Sequence, residues 1–504
     1  MLLGLMNALG VYDLAARICG DSLSLPALRV ALDSTAIALA IGQECVEGVR
    51  RLETPSVGTL LRHGSGVSPS WVRSVLHDFA AAGSSLFQAT VATRLLRRAA
   101  HEDSRLWLYI DNHLRPYTGQ HVIRKGWRMQ DKSVVPGTTD YYLHDQSGAP
   151  IWRVATPSHE SLCEWLMPAV EFVHTTFDKQ ITPVLVFDRG GAFPEAMKEL
   201  RAAKAEFVTY ERKPYPEVGA TEFKRTLTIT LASQPKRPIV IRYTEAPQKN
   251  LRFGRGRVRR IALLTEEGKQ VNLLAVSALP AEDLIRGHLA RWGRQENQLK
   301  HEVERWGINH LDGRKVEEYP PDEIIPNPER RRIDRLLKLS GAAEGEARRK
   351  LARLGKDDPD CKEFEQTIEA AMERQRDLEA LRAEVPTHAP VSETPLAGKL
   401  TKHELGYKNV LDSIRAVLAN IESELAVRIA PHLSRPREAK KVLANLFAAP
   451  GTIHLTPKRL TVKLMPAATD DERTAFQPFL DDLSGMRMTL PGDPDCRRLL
   501  WTLR

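Results

Sequence analysis

The sequence predicts an α/β protein with a mixed sheet, a β-rich insertion in that sheet, and helical regions at both ends. Three observations support this class. Apolar strand-like segments alternate with helical segments between residues 105 and 212. Four short segments of alternating hydrophobicity follow between residues 213 and 280. On both sides of this region the apolar residues recur at helical spacing. Strand, helix and strand in succession are typical of a sheet that is covered by helices.

Composition limits the class of protein further. The chain has 504 residues, of which 42% are hydrophobic, enough to bury a large core and to form about two to four domains. Its five cysteines contain no CxxC pair, so neither a disulfide framework nor a structural zinc site is indicated. The apolar opening segment lacks a basic start and meets Asp13 too early to span a bilayer. We therefore expect a cytoplasmic protein with no membrane partner. The formal net charge of +9 favours an anionic partner, with nucleic acid the first candidate.

Residues 1–100 are predicted to be a helical region. Within it, a helix over residues 56–63 is followed by a Gly-Ser-Gly turn and by a second helix. Ser68 and Pro69 are a typical N-cap and first-turn pair for that second helix. The two helices have two open interpretations, a DNA-binding helix-turn-helix and ordinary packing.

Residues 101–306 are predicted to be the domain that contains the sheet, with residues 213–280 as the β-rich insertion. Runs of β-branched and aromatic residues bounded by turn residues indicate its strands. Before the insertion we expect a strand over 105–111, a hairpin of 138–145 with 150–156, a helix over 161–177, a strand over 181–188, a helix over 194–204 and a strand over 205–212. Within the insertion we expect strands over 223–231, 237–246, 258–266 and 270–278.

Residues 307–400 are predicted to be a charged helical region with a linker, and residues 401–504 a C-terminal helical region that ends in a β-hairpin over 451–466. The first region has a weak helical seam of Phe364, Ile368, Ala371, Leu378 and Val385. The second begins with an amphipathic helix marked by Val410, Ile414, Val417, Ile421 and Leu425.

Two aspartates, Asp111 and Asp188, each stand at the C-terminal end of a hydrophobic strand. Neighbouring parallel strands would bring both carboxylates to one edge of the sheet, where ligands of α/β proteins bind. The alternative is that each is a turn residue or a helix cap.

A third carboxylate, Glu296, is expected in the middle of an apolar helix face. That face consists of Ile285, Leu289, Trp292, Leu299, Val303 and Trp306. Burying an unpaired charge is costly, so Glu296 needs a partner. If it meets Asp111 and Asp188, a divalent cation would neutralise the three, and oxygen-only ligands favour magnesium or manganese. The alternative partner is Lys300, one helical turn away.

Two basic segments are candidates for DNA contact. One carries Arg252, Arg255, Arg257, Arg259 and Arg260 among glycines. Guanidinium groups on such a strand suit a phosphate backbone, although a solvated hairpin tip has the same composition. The other segment carries Lys125, Trp127 and Arg128 and follows the strand that contains Asp111.

The segments YIDNH around Asp111, LVFDRGG around Asp188 and RWGRQENQLK around Glu296 resemble the Asp-Asp-Glu set of cut-and-paste transposases of bacterial insertion sequences. The resemblance covers roughly residues 100 to 310. It implies an RNase H-like fold in which Asp111, Asp188 and Glu296 are the catalytic residues and bind two Mg²⁺ ions, with Mn²⁺ as a substitute. It also implies metal-dependent cleavage and strand transfer of DNA.

The partners implied are double-stranded DNA, as terminal inverted repeats and as target, and a second copy of the chain in a homodimer. The implied location is the bacterial cytoplasm, with nucleoid association when DNA is bound. The family's Tyr-Arg-Glu-Lys signature is not kept, because its other positions are Leu289, Trp292 and Val303. Arg291 and Lys300 are the nearest cations, and we expect them to contact DNA instead. A transposase-derived regulatory DNA-binding protein without cleavage activity and an assembly factor are the alternatives.

Overall fold

The computed structural model describes residues 1–20, 23–52, 55–100, 105–128, 132–230, 238–246, 258–313, 315–354, 358–465 and 469–503. The chain forms two compact units. The first unit comprises Met1–Pro116, Gly126–Arg314 and Glu404–Arg504, and the second comprises Tyr117–Lys125 and Lys315–His403. The predicted class is confirmed, since the protein is mixed α/β with one large mixed sheet and helices on both sides of it in the sequence. The domain boundaries expected from the sequence stay predictions.

The α-helices lie mainly at the two ends of the chain and in the second unit. They are α1 (Leu2–Ala8), α2 (Val11–Cys19), α3 (Leu25–Ala40), α4 (Pro55–Leu61), α5 (Pro69–Ala99), α6 (Cys163–Thr176), α7 (Pro194–Ala202), α8 (Ala281–Arg291), α9 (Asn297–Trp306), α10 (Pro328–Leu351), α11 (Cys361–Glu384), α12 (Gly406–Ile429), α13 (Ala439–Ala448) and α14 (Asp470–Gly485). In the described residues no single helix is long and apolar enough to cross a membrane, and only the bent pair α1 and α2 passes that test jointly.

The strands form one large sheet and three small ones. They are β1 (Arg105–Pro116), β2 (Val122–Ile123), β3 (Lys125–Arg128), β4 (Ser133–Asp145), β5 (Pro150–Thr156), β6 (Thr182–Phe187), β7 (Glu206–Tyr210), β8 (Arg225–Ile229), β9 (Ile239–Ala246), β10 (Arg259–Leu264), β11 (Gln270–Val276), β12 (Val316–Glu318), β13 (Ile324–Pro326), β14 (His388–Pro390), β15 (Leu400–His403), β16 (Gly451–Leu455), β17 (Arg459–Leu464) and β18 (Arg498–Leu503).

The large sheet has the order β3-β4-β1-β6-β7-β11-β10-β9-β8, and β5 pairs with β4 beside this path. The strands β1, β6 and β7 are parallel, whereas β4 and β5 run antiparallel to their neighbours. The predicted insertion is confirmed as the four antiparallel strands β8 to β11, which extend the sheet beyond β7. The insertion therefore continues the sheet rather than forming a layer of its own.

Helices cover both faces of this sheet, so its central strands are apolar on both sides. One face packs on α8 through a cluster that includes Val186, Val208 and Ile285. The other face joins the main core with α6, α7 and the long helices α5 and α12. The predicted N-cap is confirmed, because the hydroxyl of Ser68 accepts a hydrogen bond from the amide of Trp71 at 3.2 Å. Since α5 packs against α2, α3 and α12, ordinary packing accounts for its apolar side.

The second unit contains the two helices α10 and α11, which pack against each other, and the small sheets β12-β15-β2 and β13-β14. The weak seam predicted for α11 is confirmed in its centre, where Ala371 and Leu378 are buried. The hydroxyl of Ser340 on α10 donates to the carbonyl oxygen of Ala371 at 3.0 Å. Small and polar residues thus hold the two helices together with little apolar burial.

The C-terminal hairpin is confirmed as β16 and β17, but the prediction that this hairpin is the last element of the C-terminal region is wrong. The chain continues through α14 to β18, which pairs in parallel with β17. Parallel neighbours need a crossover, here α14, so this third strand could not be recognised from a local turn signal.

A buried network of charges joins the sheet to α12. Asp140 on β4 accepts hydrogen bonds from Arg115 on β1 at 2.7 Å and from Arg153 on β5. Arg153 also lies 2.9 Å from Asp412 on α12, and Lys408 donates to the same carboxylate at 2.8 Å. Although burial opposes ionisation, Arg115 and Arg153 hold the pKa of Asp140 below its usual value. The end of β1 is therefore tied to α12 by charge.

Asp312 completes this network from the segment that follows α9. It accepts hydrogen bonds from Arg415 at 2.6 and 2.9 Å and from Lys408 at 3.2 Å. Both cations are almost fully buried. A buried charge without its partner is strongly destabilising, so each member of the network constrains the position of the others.

We expect Asp412→Asn to lower the free energy of unfolding by about 3–5 kcal/mol, because it leaves Arg153, Lys408 and Arg415 with an excess of buried positive charge. Urea unfolding followed by circular dichroism measures this change. The matched control is Asp470→Asn, whose carboxylate is 94% exposed and, among the described residues, ion-paired only with Arg473. Equal stability of the two variants would contradict a supporting role of the network.

Candidate active site

The two aspartates lie at the same level on adjacent strands. β1 and β6 are parallel neighbours, and Tyr109 pairs with Val186. Asp111 lies two residues beyond Tyr109 on β1, and Asp188 lies two residues beyond Val186, directly after β6. The expectation that the two residues belong to adjacent strands is therefore confirmed, but the prediction that Asp111 ends its strand is wrong, because β1 continues to Pro116 by pairing with β4. Their role as metal ligands stays a prediction.

Backbone amides orient both carboxylates. Oδ1 of Asp111 accepts a hydrogen bond from the amide of Asn112 at 2.9 Å, and Oδ1 of Asp188 accepts one from the amide of Gly190 at 2.7 Å. A Cβ atom at Gly190 would lie only 2.9 Å from that oxygen, so glycine permits this close approach. Burial raises the pKa of Asp188, and the neighbouring charge of Asp111 raises it further.

Helix α8 lies close to β1 because Gly287 has no side chain. A Cβ atom there would come within 2.1 Å of the ring of Trp107, and the hydroxyl of Tyr109 donates to the carbonyl oxygen of Gly287 at 3.3 Å. Beyond α8 the helix widens into a π-helical turn, Trp292–Glu296, before α9 begins. The close contact between Gly287 and β1 determines how near Arg291 and Glu296 lie to Asp111 and Asp188.

The prediction that Glu296 lies in the middle of a buried apolar face is wrong. Trp292 is 49% exposed and Glu296 is partly exposed, whereas Gln295 is buried. The residues buried most completely in this part of the helix are polar, namely His288, Arg291, Gln295, Gln298 and Glu302, while Leu289, Leu299 and Val303 are partly buried against the hydrophobic cores. The sequence prediction chose the neighbouring face as the buried one because it used hydrophobicity alone. Hydrophobicity cannot reveal which polar side chains find hydrogen-bond partners inside the protein.

These buried polar groups form a chain of contacts that begins at Arg291. Its Nε donates to Oε1 of Gln295 at 3.0 Å. Nε2 of Gln295 donates to the carbonyl oxygen of Tyr109 at 3.4 Å and lies 3.3 Å from Nδ1 of His144. Further along the helix, Gln298 donates to Glu302 at 2.9 Å. The guanidinium of Arg291 is therefore held from behind by Gln295.

Arg291 is the buried cationic side chain of the candidate site. It is 4% exposed, and its Nη2 donates to Oδ2 of Asp111 at 2.6 Å. Burial lowers the pKa of this guanidinium, but Asp111, Asp188 and Glu296 together raise it above its usual value. In the described residues no group of three or more His, Cys, Asp or Glu side chains is close enough to hold a metal ion. Of the three predicted carboxylates, Asp111 alone is ion-paired with Arg291 in the described part of the chain, and Asp188 and Glu296 act on this guanidinium only through their charge.

A family model described as "Transposase protein" matches residues 94–492, which is most of the chain and includes the whole large sheet. The chain belongs to this transposase family. A search of curated proteins finds no match. Because transposases act on DNA, this membership indicates DNA as the partner.

Of the arginine-rich segment of the transposase, Arg252, Arg255 and Arg257 lie outside the described residues. Arg260 is buried, and its Nε donates to Oε2 of Glu211 at 2.8 Å. Arg259 is bonded to Glu245 at 2.7 Å. These two guanidinium groups already have intramolecular anionic partners. The sequence predicts an exposed strand without such partners.

The other predicted DNA contacts of the transposase lie at separate places. Lys125, Trp127 and Arg128 form the edge strand β3, where the ring of Trp127 is 55% exposed. Lys300 is exposed on α9 and forms no ion pair with Glu296 within the described part of the chain. Arg291 is buried against Asp111, so contact with DNA would require it to leave that carboxylate. Binding of DNA by these residues stays a prediction.

Two residues near the site were missed by sequence reasoning. Tyr210 stands at the end of β7, next to the end of β6, and its ring makes an edge-to-face contact with His288 at 4.2 Å. Burial, and then the charge of Arg291, lowers the pKa of His288 to about 3. A tyrosine at a strand end was visible in the sequence, but the inward orientation of His288 depends on how α8 packs.

We expect His288 to make the transposase less stable as the pH falls. The unfolded chain binds a proton at this histidine near pH 6.5, whereas the folded chain binds it only near pH 3, so stability present above pH 6.5 is lost between these values. At pH 5 the loss is about 2 kcal/mol. The free energy of unfolding of His288→Phe should therefore fall less between pH 7.5 and 5 than that of the wild type. The control, His432→Phe at an exposed histidine, should keep the wild-type slope, and equal slopes for all three proteins would contradict the expectation.

Proposed function

We propose that this transposase cleaves DNA strands and joins the resulting 3′ ends to target DNA, as a DDE-type enzyme of a bacterial insertion sequence. One observation carries the proposal. Asp111 and Asp188, which are far apart in the sequence, lie side by side on the parallel neighbours β1 and β6, and Arg291, on the helix that leads to Glu296, is ion-paired with Asp111. Two acidic side chains at one place are unusual for purely structural residues, because like charges repel one another unless a cation is present.

The arrangement of the sheet supports an RNase H-like core. The strands β5, β4 and β1 are antiparallel neighbours, and β6 and β7 follow beside β1 and parallel to it. The strands β8 to β11 enter the sequence between β7 and α8, so the insertion precedes the helix that leads to Glu296. Both features agree with the resemblance found in the sequence.

The donor set is chemically suited to two Mg²⁺ ions, with Mn²⁺ as a substitute. Asp111, Asp188 and Glu296 offer only carboxylate oxygens, which these ions prefer. Two of the carboxylates are already oriented by backbone amides. The guanidinium of Arg291 is ion-paired with Asp111, so ligation of a metal ion by Asp111 requires this ion pair to open. When bound, the ions would promote deprotonation of a water molecule and stabilise charge on the attacking and leaving oxygens.

The proposed reaction has two steps. In the first, water adds across a phosphodiester P–O3′ bond, which leaves a 3′ hydroxyl group and a 5′ phosphate. In the second, that 3′ hydroxyl replaces water as the nucleophile, its oxygen forms a new bond to a phosphorus of the target, the P–O3′ bond of the target breaks, and the target 3′ oxygen leaves as a hydroxyl group. Asp111, Asp188 and Glu296 would hold the metal ions in both steps. The hydrogen bonds that Asp111 and Asp188 accept from the amides of Asn112 and Gly190 keep the two aspartates in a fixed orientation.

The alternative function is that of a transposase-derived regulatory protein that binds DNA without cleaving it. The ion pair between Arg291 and Asp111 favours this alternative, since it neutralises a catalytic carboxylate. Both functions require DNA binding, so a cleavage assay separates them.

The remaining expectations rest on the resemblance to insertion-sequence transposases. They are recognition of terminal inverted repeats and target DNA, a homodimer in the DNA complex, and a bacterial cytoplasmic location with nucleoid association when DNA is bound. We include them in the proposal as the setting in which paired DNA ends would be cut.

We expect Glu296→Gln to abolish Mg²⁺-dependent nicking of DNA while the protein stays folded, because the change keeps the shape of the side chain and removes its charge. Nicking of a supercoiled plasmid, with the melting temperature as a check on folding, measures both properties. The control is Glu304→Gln at an exposed position of α9, which should nick at the wild-type rate. A Glu296→Gln protein that nicks at the wild-type rate would refute the assignment, and an inactive wild type would favour the regulatory alternative.

We expect Arg291→Met to destabilise the metal-free protein by about 2–3 kcal/mol, because the carboxylates lose their shared cation. Mn²⁺ should then raise the melting temperature of Arg291→Met more than that of the wild type, in which the ion competes with the guanidinium. Arg286→Met, on the exposed side of α8, should respond like the wild type, and Asp188→Asn should lose the response. An equal response of wild type and Arg291→Met would show that Arg291 does not compete with a metal ion.

A further inference from the structure

Three cations lie on aromatic rings at the surface beside Asp188. The guanidinium carbon of Arg189 lies 5.3 Å from the ring centre of Tyr210, and that of Arg212 lies 4.1 Å from the ring centre of Phe193. The ammonium group of Lys213 lies 5.8 Å from the ring centre of Tyr215. All three cations are exposed. We call the set of Arg189, Arg212, Lys213, Phe193, Tyr210 and Tyr215 the cationic rim.

The rim is preorganised for an anion because each aromatic ring contacts only one side of its cation. A guanidinium group that stacks on a ring presents its flat face to the π system, and its N–H edges stay available for hydrogen bonds. Arg212 is further fixed by a hydrogen bond from Nη1 to the carbonyl oxygen of Arg189 at 3.0 Å. The hydroxyl of Tyr215 donates to the carbonyl oxygen of Gln270 at 3.0 Å, which anchors that ring. Less side-chain freedom is therefore lost when an anion binds.

The positive charge of the rim is not cancelled by ion pairs. None of Arg189, Arg212 and Lys213 forms an ion pair with a carboxylate in the described part of the chain. The nearby carboxylate of Glu211 is already bonded to Arg260 and Asn272. Two arginines and a lysine that lie together without such partners repel one another, and an anionic ligand removes this repulsion.

We propose that the cationic rim binds the phosphate backbone of a DNA strand and positions that strand at the carboxylates of Asp111 and Asp188. The inference deepens the proposed function and rests on it, since it names the surface that takes the substrate. Arg189 directly follows Asp188 in the chain, so a phosphate held by the rim lies next to the candidate site. Exposed N–H edges suit phosphate oxygens, and contacts of this type position a strand without reading its sequence.

The experiment measures binding of a fluorescently labelled DNA duplex by anisotropy in EDTA, over a series of KCl concentrations. The double variant Arg212→Gln with Lys213→Gln should bind about tenfold more weakly, and the slope of log affinity against log salt should decrease by about two, one for each lost phosphate contact. The matched control, Lys198→Gln with Lys224→Gln, removes the same charge from exposed positions outside the rim and should leave the slope unchanged.

A second variant tests the role of the rings apart from charge. Phe193→Leu removes the ring under Arg212 and keeps every cation, so affinity should fall about threefold to fivefold with the salt slope retained. Unchanged affinity in Phe193→Leu would show that the ring does not prepare Arg212 for binding. The ring is 39% exposed, and the melting temperature confirms that each variant folds.

The outcomes separate the rim from the catalytic proposal. If the rim double variant and its control lose the same affinity and slope, the rim is refuted whatever the cleavage assay gives. If inorganic phosphate raises the melting temperature of the wild type but not of the double variant, and DNA affinity is the same in both, the rim binds small anions and the DNA proposal is refuted. If the rim variants lose DNA binding but the wild type does not nick DNA with Mg²⁺ or Mn²⁺, the rim stands and the catalytic proposal fails.

Discussion

The buried network around Asp140 and Asp412 constrains the whole first unit. It connects β1, β4 and β5 to α12 through charges that are almost completely removed from water. Such charges have no favourable alternative arrangement, so the strands and the helix must keep their relative positions. Arg115 is one of these charges and lies four residues after Asp111 on β1. The position of the first carboxylate therefore depends on the same network that holds the sheet to α12.

The second constraint is the polar face of the helix that passes over the strand ends. Gly287 lets α8 approach β1 closely, and Gln295 then holds Arg291 against Asp111. Several buried polar groups on this face have a partner supplied by another element, as with Gln298 and Lys440, whereas neither ring nitrogen of His288 has a hydrogen-bond partner in the described part of the chain. A face of this kind positions side chains more rigidly than an apolar one, because hydrogen bonds are directional. Arg291 connects the buried polar contacts of the helix, through Gln295, with the candidate site, through Asp111.

Much of the fold could be predicted because its signals are local. The strands that carry or directly precede Asp111 and Asp188, the four strands of the insertion and the cap at Ser68 follow from runs of apolar residues and turn residues. The strand β18 and the buried side of the helix around Glu296 could not, since parallel pairing and buried hydrogen bonds join residues that are far apart in the chain. The cationic rim was missed for the same reason, because Phe193 and Arg212 meet only when α7 and β7 are in place.

The sequence by itself determined the α/β class, the order of the elements and the three acidic residues worth comparing, because each depends on residue type and short-range period. Only the tertiary structure decided that Asp111 and Asp188 stand side by side, that polar residues of the helix are buried, and that Arg291 is ion-paired with Asp111. Strand neighbours and burial are properties of long-range packing. Periodicity can rank helix faces by hydrophobicity, but it cannot tell a solvated polar face from one whose polar groups are satisfied inside the protein.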